Sequence, residues 1–230
     1  MKIYYRISDK GRRHGKPDFI NPKICLENFC QHFDPTLITI IADNCEDDTI
    51  KMIETYVKPE NIHKTSLGNS GAFLYAVEMA IEENQDDTTV YLVEDDYLHI
   101  KDSFKVLNEG FKYGDYVSLY DHPDKYMDER SPNPHVINGG EYTKVFLTES
   151  SHWKYTNSTT MTFATKVNTL KADLKIIKTY CRQNIPDDFK MFCELLSIGR
   201  KLVTPIPGRS THGQLPWFSP LIDWKSKLYL

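Results

Sequence analysis

Val90-Tyr91-Leu92-Val93-Glu94-Asp95-Asp96 is an apolar run that ends on three consecutive carboxylates. Such an uninterrupted apolar run is typical of a strand buried on both faces of a parallel sheet. Strands of open α/β sheets present their carboxyl ends to the ligand crevice, so the three acids are expected where a ligand binds. A hard cation such as Mg²⁺ usually lies between one or two protein carboxylates and the phosphates of a substrate. The run therefore predicts a divalent cation and a phosphorylated substrate.

The segments before this run alternate between strand and helix patterns. Strand patterns cover residues 3–8, 37–42 and 62–66, and helical patterns cover residues 22–33, 48–57 and 70–83. Alternation of this kind indicates a mainly parallel sheet whose strands are joined by right-handed crossovers. We therefore expect a doubly wound α/β core.

The second half of the chain is less regular. Apolar spacing predicts helices over residues 103–111, with Asp102 as the N-cap, and over residues 187–198. Residues 121–143 are polar and rich in Pro and Gly, which predicts a long surface loop. Between residues 142 and 167 we expect extended segments that form an antiparallel ribbon or edge strands.

Composition narrows the class of protein. The 230 residues include 28 basic and 32 acidic side chains, and the net charge of −4 argues against binding to nucleic acid. No apolar segment approaches the roughly 20 residues that a membrane span needs, and the N-terminus lacks the apolar core of a signal peptide. The five cysteines show no CxxC spacing, so neither a disulfide framework nor a zinc site is indicated. We expect a cytoplasmic protein without a membrane span.

Three motifs in the first 100 residues resemble those of a known family. They are Ala42-Asp43-Asn44-Cys45-Glu46-Asp47-Asp48-Thr49, Leu67-Gly68-Asn69-Ser70-Gly71-Ala72 and the triplet Glu94-Asp95-Asp96. In this order, each after or before a predicted strand, they resemble the nucleotide-sugar half of a GT-A glycosyltransferase of the family 2 type. Glu94 departs from the family's Asp-x-Asp motif, and Asn44 and Cys45 depart from its Asp-x-Ser-x-Asp-x-Thr turn. The likeness covers about residues 1–100 well and residues 145–215 more loosely.

The resemblance implies a fold and its internal division. The fold would be GT-A, the nucleotide-diphospho-sugar transferase fold, with a mostly parallel central sheet, flanking helices and a small antiparallel ribbon. One domain would span residues 1–230. About residues 1–100 would bind the nucleotide sugar, about residues 101–204 would hold the acceptor and catalytic groups, and about residues 205–230 would form a tail packed back on the site.

The resemblance also implies roles for residues of the first half. Asp43 would accept a hydrogen bond from the nucleobase, Asp95 would approach the ribose or a metal-bound water, and Asp96 would bind Mn²⁺ or Mg²⁺ directly. The backbone of three residues would line the base and ribose, namely Arg6, Ile7 and Ser8. The metal would bridge the two phosphates of a nucleoside-diphosphate sugar, expected to be a UDP-sugar, and offset charge on the leaving diphosphate. The alternative for Asp43 is that it ends its strand and caps the next turn.

Downstream, the family pattern places a catalytic acid at the start of a helix. Asp187 and Asp188 occupy that place, and Asp188 is favoured as the base that removes the acceptor's proton in an inverting transfer. The alternative is that these aspartates cap the helix. In related glycosyltransferases a late His completes the metal shell and a basic loop residue meets the diphosphate, which implies roles for His212 and Arg209. Both are alternatively ordinary surface residues.

Other candidates come from the residues themselves. The segment containing Asn69 and Gly71 precedes a helix whose free N–H groups would suit an anion, although flexible backbone at a helix start explains the glycines equally. Trp153 lies near a hydroxyl-rich stretch and is a candidate for stacking on an acceptor sugar, although most aromatic residues fill cores. A basic loop after the first strand would contact phosphates or remain solvated, and it consists of Lys10, Arg12, Arg13, His14 and Lys16.

Together these features predict a metal-dependent, inverting glycosyltransferase that moves a sugar from a nucleoside-diphosphate donor to a hydroxyl of a glycan or another acceptor. Two other classes stay open. A sugar nucleotidyltransferase shares a similar core and metal requirement, but it normally has a Gly-rich N-terminal loop that clasps a triphosphate, and residues 6–16 lack that arrangement. An inactive nucleotide-sugar or carbohydrate-binding module would bind the same ligand without turnover.

Overall fold

The computed structural model describes residues 1–11, 15–128 and 131–229. Its strands are β1 (Lys2–Ile7), β2 (Ile38–Asp43), β3 (Ile62–Thr65), β4 (Thr89–Glu94), β5 (Tyr97–His99), β6 (Tyr116–Val117), β7 (Val145–Leu147), β8 (His152–Thr156), β9 (Phe163–Lys166), β10 (Leu202–Ile206) and β11 (Ser210–His212). Its α-helices are α1 (Pro22–His32), α2 (Asp47–Glu54), α3 (Gly68–Glu83), α4 (Ser103–Gly110), α5 (Val167–Tyr180) and α6 (Asp188–Ser197).

Strands from both halves of the chain join a mixed sheet in the order β3-β2-β1-β4-β9-β6-β10-β8-β7. The pairs β3/β2, β2/β1, β1/β4 and β6/β10 are parallel, whereas β9 and β8 run against their neighbours. A separate small antiparallel sheet pairs β5 with β11. The expected α/β class, with a mostly parallel sheet and a small antiparallel ribbon, is confirmed.

The residues of β4 show why the sheet is covered on both faces. Val90 and Leu92 pack into a cluster with α3, α5 and α6, whereas Tyr91 and Val93 pack into the opposite cluster with α1, α2 and α4. All four side chains are buried, because successive residues of a strand point to opposite faces. The apolar run of the sequence is therefore a central strand whose acidic end emerges at one edge of the sheet.

Among the described helices, none is both long enough and apolar enough to cross a bilayer. The longest, α3, has 16 residues. Helix α1 begins with a side-chain cap. At α1, the Asn21 side chain accepts a hydrogen bond from the Ile24 N–H, and Pro22 occupies the first helical position.

The second half departs from the sequence prediction in several places. Helix α5 and strands β10 and β11 lie where no element was predicted. A tail was expected from about residue 205, yet β10, which includes Pro205, pairs with both β6 and β8. Pro205 is tolerated there because it lies past Val203, where the pairing with the two-residue β6 ends, so its missing N–H costs no bond on that side.

The predicted surface loop at residues 121–143 is partly internal. Asp124 and Lys125 are buried, and the Lys125 ammonium donates to the side-chain oxygens of Asn157 and Ser158. Polar residues enter the interior here because each one finds a partner. Asp102 occupies the predicted N-cap position of α4, but it has φ of 66° and its side chain makes no capping hydrogen bond.

Candidate active site

A cavity of about 500 Å³ opens at the carboxyl ends of β1, β2 and β4. This volume is within the range of small-ligand pockets. Its described lining residues are Arg6, Ile7, Ser8, Lys10, Gly11, Lys16, Asp43, Asn44, Gly68, Asn69, Ala72, Glu94, Asp95, Asp96, Asn184, Ile185 and His212. The three acids that end β4 therefore face one cavity, together with the predicted backbone contacts of β1.

The first two acids of the triplet have different partners. The Glu94 carboxylate lies 3.1 Å from the Arg6 guanidinium and accepts a hydrogen bond of 3.2 Å from the Thr162 hydroxyl. Asp95 accepts a hydrogen bond of 3.0 Å from the main-chain N–H of Ser8. These contacts fasten the end of β4 to the end of β1, so both acids help to shape the cavity wall.

One carboxylate oxygen of Asp96 contacts two groups that are, or can become, positively charged. Its Oδ2 lies 2.7 Å from the Lys16 ammonium and 3.1 Å from Nε2 of His212. Burial alone would raise the pKa of Asp96, but His212 and Lys16 lower it below its usual value. Burial opposes protonation of His212, yet the Asp96 carboxylate raises the pKa of that imidazole. The cluster therefore favours an ionised acid paired with positive charge.

The C-terminal segment brings His212 to this position. In the β5/β11 ladder His212 is opposite Tyr97, and the two rings stack with centroids 5.4 Å apart. The next residue, Gly213, donates its N–H to the Asp96 carbonyl at 2.7 Å. A Cβ on Gly213 would lie 2.7 Å from that carbonyl and 2.5 Å from Ile20, so only glycine permits this close approach.

Asp43 lines the cavity at the end of β2, but its carboxylate is already engaged. It accepts hydrogen bonds from the Leu67 and Gly68 N–H groups at 2.6 and 3.1 Å, and from the Thr65 and Asn44 side chains at 2.9 and 2.7 Å. Burial opposes the ionised form, but these four donors lower the pKa of Asp43 overall. The Asp43 carboxylate thus already lies as an anion at the N-terminus of α3. A nucleobase could bind Asp43 only by replacing one of these four donors.

The predicted anion site before α3 is therefore partly filled from within the chain. Besides the two amides bound by Asp43, the Ser70 N–H donates to the Asn184 carbonyl at 3.1 Å. Asn69 faces the cavity and accepts a hydrogen bond of 2.9 Å from Arg6. Gly71 lies behind this wall, where a Cβ would come within 2.8 Å of the Leu67 side chain. Its role in the described structure is close packing.

Asp187 and Asp188 have different contacts and different degrees of ionisation. Asp187 caps α6, since its side chain accepts from the Lys190 N–H at 3.1 Å and pairs with the Lys190 ammonium at 2.7 Å. Asp188 is partly buried and accepts a 2.7 Å hydrogen bond from the Phe189 N–H. Burial, followed by repulsion from Glu94, raises the pKa of Asp188 to about 7. A carboxyl with this pKa is suited to accept a proton near neutrality.

Two predicted site residues lie elsewhere. Trp153 has 0% exposure in the core, and its indole N–H donates to the Thr148 hydroxyl at 2.9 Å. This burial is incompatible with the predicted stacking on an acceptor sugar. Arg209 is not among the described lining residues, and its guanidinium reaches the Ser150 carbonyl at 3.4 Å. The predicted phosphate contact of Arg209 has no support in this geometry.

The basic loop contributes residues to which the sequence assigned no specific contact. Lys16 reaches Asp96, and Lys10 donates to the Asn44 side chain at 3.2 Å, so both ammonium groups line the cavity. Their only sequence signal was their position after β1. Asn184 and Ile185 also line the cavity, and no sequence signal pointed to either residue. The remaining basic loop residues, Arg12, Arg13 and His14, lie outside the described residues.

Comparison with known proteins adds evidence on the fold. No protein-family model matches the chain, and no curated protein matches its sequence. GalNAc-T7, solved with UDP, GalNAc and Mn²⁺, superposes with a TM-score of 0.57 at 10% identity, over 94% of this chain and 43% of its own. The chain has the GT-A fold.

Two further solved structures with lower scores match. The S. aureus TarS 1–349 structure gives a TM-score of 0.48 at 13% identity, over 89% of this chain and 58% of its own. The 4-diphosphocytidyl-2C-methyl-D-erythritol synthase of Anaerococcus prevotii DSM 20548 gives 0.46 at 16% identity, over 89% and 87%. The chain spans less than half of the GalNAc-T7 chain and less than two thirds of the TarS chain. At 10% identity, the likeness to GalNAc-T7 shows the fold alone.

The resemblance to GT-A enzymes implies a divalent cation, and the donor set can be tested for it. In the described ranges, no group of three or more His, Cys, Asp or Glu side chains is arranged to hold a metal ion. Asp96 and His212 nevertheless offer an oxygen and a nitrogen 3.1 Å apart. The positively charged Lys16 ammonium already contacts that oxygen. Mg²⁺ sites commonly use one or two protein ligands completed by substrate phosphates and water. The pair fits a cation shared with a diphosphate.

The charge balance of the cavity also favours a bound cation. Its described lining includes three basic side chains, Arg6, Lys10 and Lys16, and four acidic ones, Asp43, Glu94, Asp95 and Asp96. Apart from His212, whose pKa Asp96 raises against the effect of burial, the acidic side chains of the described lining outnumber the basic ones by one. A diphosphate entering this cavity would need a further cation, because like charges in a partly desolvated site repel strongly.

Proposed function

We propose that this protein is a metal-dependent, inverting glycosyltransferase that moves a sugar from a nucleoside-diphosphate donor to a hydroxyl of a glycan or another acceptor. The observation that carries the proposal is Asp188, a partly buried carboxyl with a pKa of about 7 whose charge interacts with Glu94 and His212 of the cavity. In a GT-A fold, a base at this position and an acidic triplet at the end of β4 suit attack on a bound sugar diphosphate.

Asp188 acts on the acceptor in the proposed reaction. The acceptor hydroxyl oxygen attacks the anomeric carbon, and its proton passes to the Asp188 carboxylate as the new C–O bond forms. The bond between the anomeric carbon and the diphosphate oxygen breaks, and the nucleoside diphosphate leaves with that electron pair. Because attack and departure occur on opposite faces of the sugar, the configuration at the anomeric carbon inverts.

Asp188 is not among the described residues that line the cavity. Those residues would hold the donor. Asp96 and His212 would bind Mn²⁺ or Mg²⁺, which when present offsets charge on the leaving diphosphate. The backbone at the end of β1, from Arg6 to Ser8, lines the cavity and is placed to contact the base and ribose. UDP-sugars are the first donors to examine, since the GalNAc-T7 structure of the same fold contains UDP.

The direct test is to incubate the purified protein with Mn²⁺ and a panel of nucleoside-diphosphate sugars and to measure released nucleoside diphosphate. Release that depends on the divalent cation supports the proposal, and NMR of the product's anomeric configuration tests inversion. Release of pyrophosphate from a sugar phosphate and a nucleoside triphosphate would instead identify a sugar nucleotidyltransferase. Donor binding with neither transfer nor hydrolysis would identify a binding module.

A further inference from the structure

We propose that Lys16 is an exchangeable cation, which neutralises Asp96 before ligands bind and moves to the donor diphosphate when a divalent cation takes its place. This inference rests on the proposed function for the identity of the ligand. The competition between Lys16 and a metal ion for Asp96 can be tested without that identity.

The first step of the argument is the occupancy of a single carboxylate oxygen. The Lys16 ammonium lies 2.7 Å from Oδ2 of Asp96, the same oxygen that lies 3.1 Å from His212. The side chains of Lys16 and Asp96 are only 6% and 14% exposed, so water screens their charges weakly. A divalent cation on this oxygen would face the ammonium at very short range. The ammonium and the metal ion therefore exclude each other at Asp96.

The second step is that a displaced ammonium needs another anion. A partly buried charge that loses its partner costs several kcal/mol, whereas a charge that changes partners avoids most of this cost. Lys16 lines the same cavity that the diphosphate would enter. Its flexible four-carbon stem allows the ammonium to turn from one anion to another without backbone movement.

The third step is that the backbone around Lys16 is fixed. The carbonyl of Gly15 accepts the Leu215 N–H at 2.8 Å, and the carbonyl of Pro17 accepts the Ile20 N–H at 2.9 Å. The C-terminal segment that supplies His212 therefore also anchors the loop that supplies Lys16. Exchange is confined to the side chain, and the ammonium stays within reach of both anions.

Exchange of this kind makes metal and nucleotide bind cooperatively. A metal ion that displaces Lys16 releases a cation for the diphosphate, and a diphosphate that attracts Lys16 frees Asp96 for the metal. Each ligand must raise the affinity of the other by the same factor, because such coupling is reciprocal. Removing the ammonium abolishes the competition and this part of the cooperativity together.

The test is a calorimetric titration of the protein with Mn²⁺ alone, comparing Lys16→Met with Lys10→Met. Lys10 lines the same cavity but contacts Asn44, so its replacement removes the same charge without vacating Asp96. We expect Lys16→Met to bind Mn²⁺ about tenfold more tightly than Lys10→Met, within the usual range of coupling between sites. With UDP present, the enhancement of Mn²⁺ affinity should be smaller in Lys16→Met than in the parent. Equal Mn²⁺ affinities of the two variants would overturn the proposal.

A second measurement uses the unmodified protein and does not depend on folding of a variant. Mass spectrometry after brief acylation of amines should show Lys16 protected without ligands, more reactive with Mn²⁺ alone, and protected again with Mn²⁺ and UDP. Unchanged reactivity on adding Mn²⁺ would refute the exchange. If Mn²⁺ exposes Lys16 but no nucleoside diphosphate restores protection or binds, the exchange at Asp96 stands and the proposed function fails.

Discussion

Replacing Asp188 with asparagine should stabilise the protein at neutral and alkaline pH. Folding raises the pKa of this carboxyl from its ordinary 3.8 to about 7, because burial and the charge of Glu94 disfavour the ionised form. The folded state thus holds its proton more tightly than the unfolded state, and ionisation costs stability as pH rises from 3.8 towards 7. The asparagine side chain of Asp188→Asn would carry no such cost and would retain an oxygen for the Phe189 N–H.

The size of the expected stabilisation follows from the interval between the ordinary and the folded pKa of Asp188. Each pH unit between the two pKa values costs about 1.4 kcal/mol, so a shift of about 3 units corresponds to about 4 kcal/mol above pH 7. Since Asp188 is partly exposed, we expect a measured gain of about 2 to 3 kcal/mol for Asp188→Asn at pH 8. The gain should shrink steadily as the pH is lowered from 7 and vanish near pH 4.

Urea unfolding of the parent and the variant at several pH values between 5 and 8.5 measures this gain. Asp187→Asn is the matched control, because Asp187 is a partly exposed cap whose pKa is lowered by Lys190 despite the opposing effect of burial. A carboxyl whose pKa is lowered on folding stabilises the protein at pH values above its ordinary pKa, so Asp187→Asn should gain no stability at pH 8. Equal stabilities of parent and Asp188→Asn across the whole range would refute a raised pKa at Asp188, and with it the main support for its role as base.

Other consequences can be checked separately. The transfer rate should rise as pH increases through about 7, since Asp188 must be ionised to accept a proton, and a flat rate profile would remove it from the reaction. Asp96→Asn should lose Mn²⁺-dependent donor binding, and His212→Ala should weaken Mn²⁺ binding at least about tenfold in calorimetry; unchanged affinities would exclude these ligands. Gly213→Ala should lower the free energy of unfolding by more than Gly140→Ala, because the added Cβ at Gly213 meets the main-chain carbonyl of Asp96. The added Cβ lies 2.7 Å from this carbonyl at Gly213 and has nothing within 4 Å at Gly140, and similar losses in urea unfolding would contradict this steric difference.

The first half of the fold was predictable because its signals are local. The apolar run of β4 is buried on both faces, and its terminal acids emerge at the carboxyl edge, as the periodicity and the connection rules require. The helix containing Asp188 was equally visible, because residues 187–198 combine a capping aspartate with regular apolar spacing. In both cases the structural signal lies within about ten residues.

The rest depends on contacts between distant parts of the chain. Lys16 and Asp96 are 80 residues apart, and His212 and Asp96 are 116 apart, so no local pattern places them on the same oxygen. The engagement of Asp43 arises from a loop 24 residues away. Trp153 shows a second limit of the sequence. Residue type alone does not distinguish a tryptophan that fills a core from one that stacks on a sugar. The burial of Trp153 follows from β8 lying between β10 and β7 in the sheet; the sequence predicted extended segments here but not this position.

Four acids in and beside the cavity differ chiefly in their contacts. Glu94, Asp95 and Asp96 line the cavity, and Asp188 lies outside its described lining. Glu94 pairs with Arg6, and Asp95 accepts a main-chain N–H, so both have structural partners. Asp96 shares its oxygen with two cationic groups that lower its pKa against the effect of burial, which suits a residue that exchanges cations. Asp188 has a hydrogen bond from the Phe189 N–H, and burial with the charge of Glu94 raises its pKa to about 7. Environments that push the pKa values of neighbouring carboxyls apart distinguish a charge-holding group from a proton acceptor, and here they support the proposed roles of Asp188 as proton acceptor and of Asp96 as cation ligand.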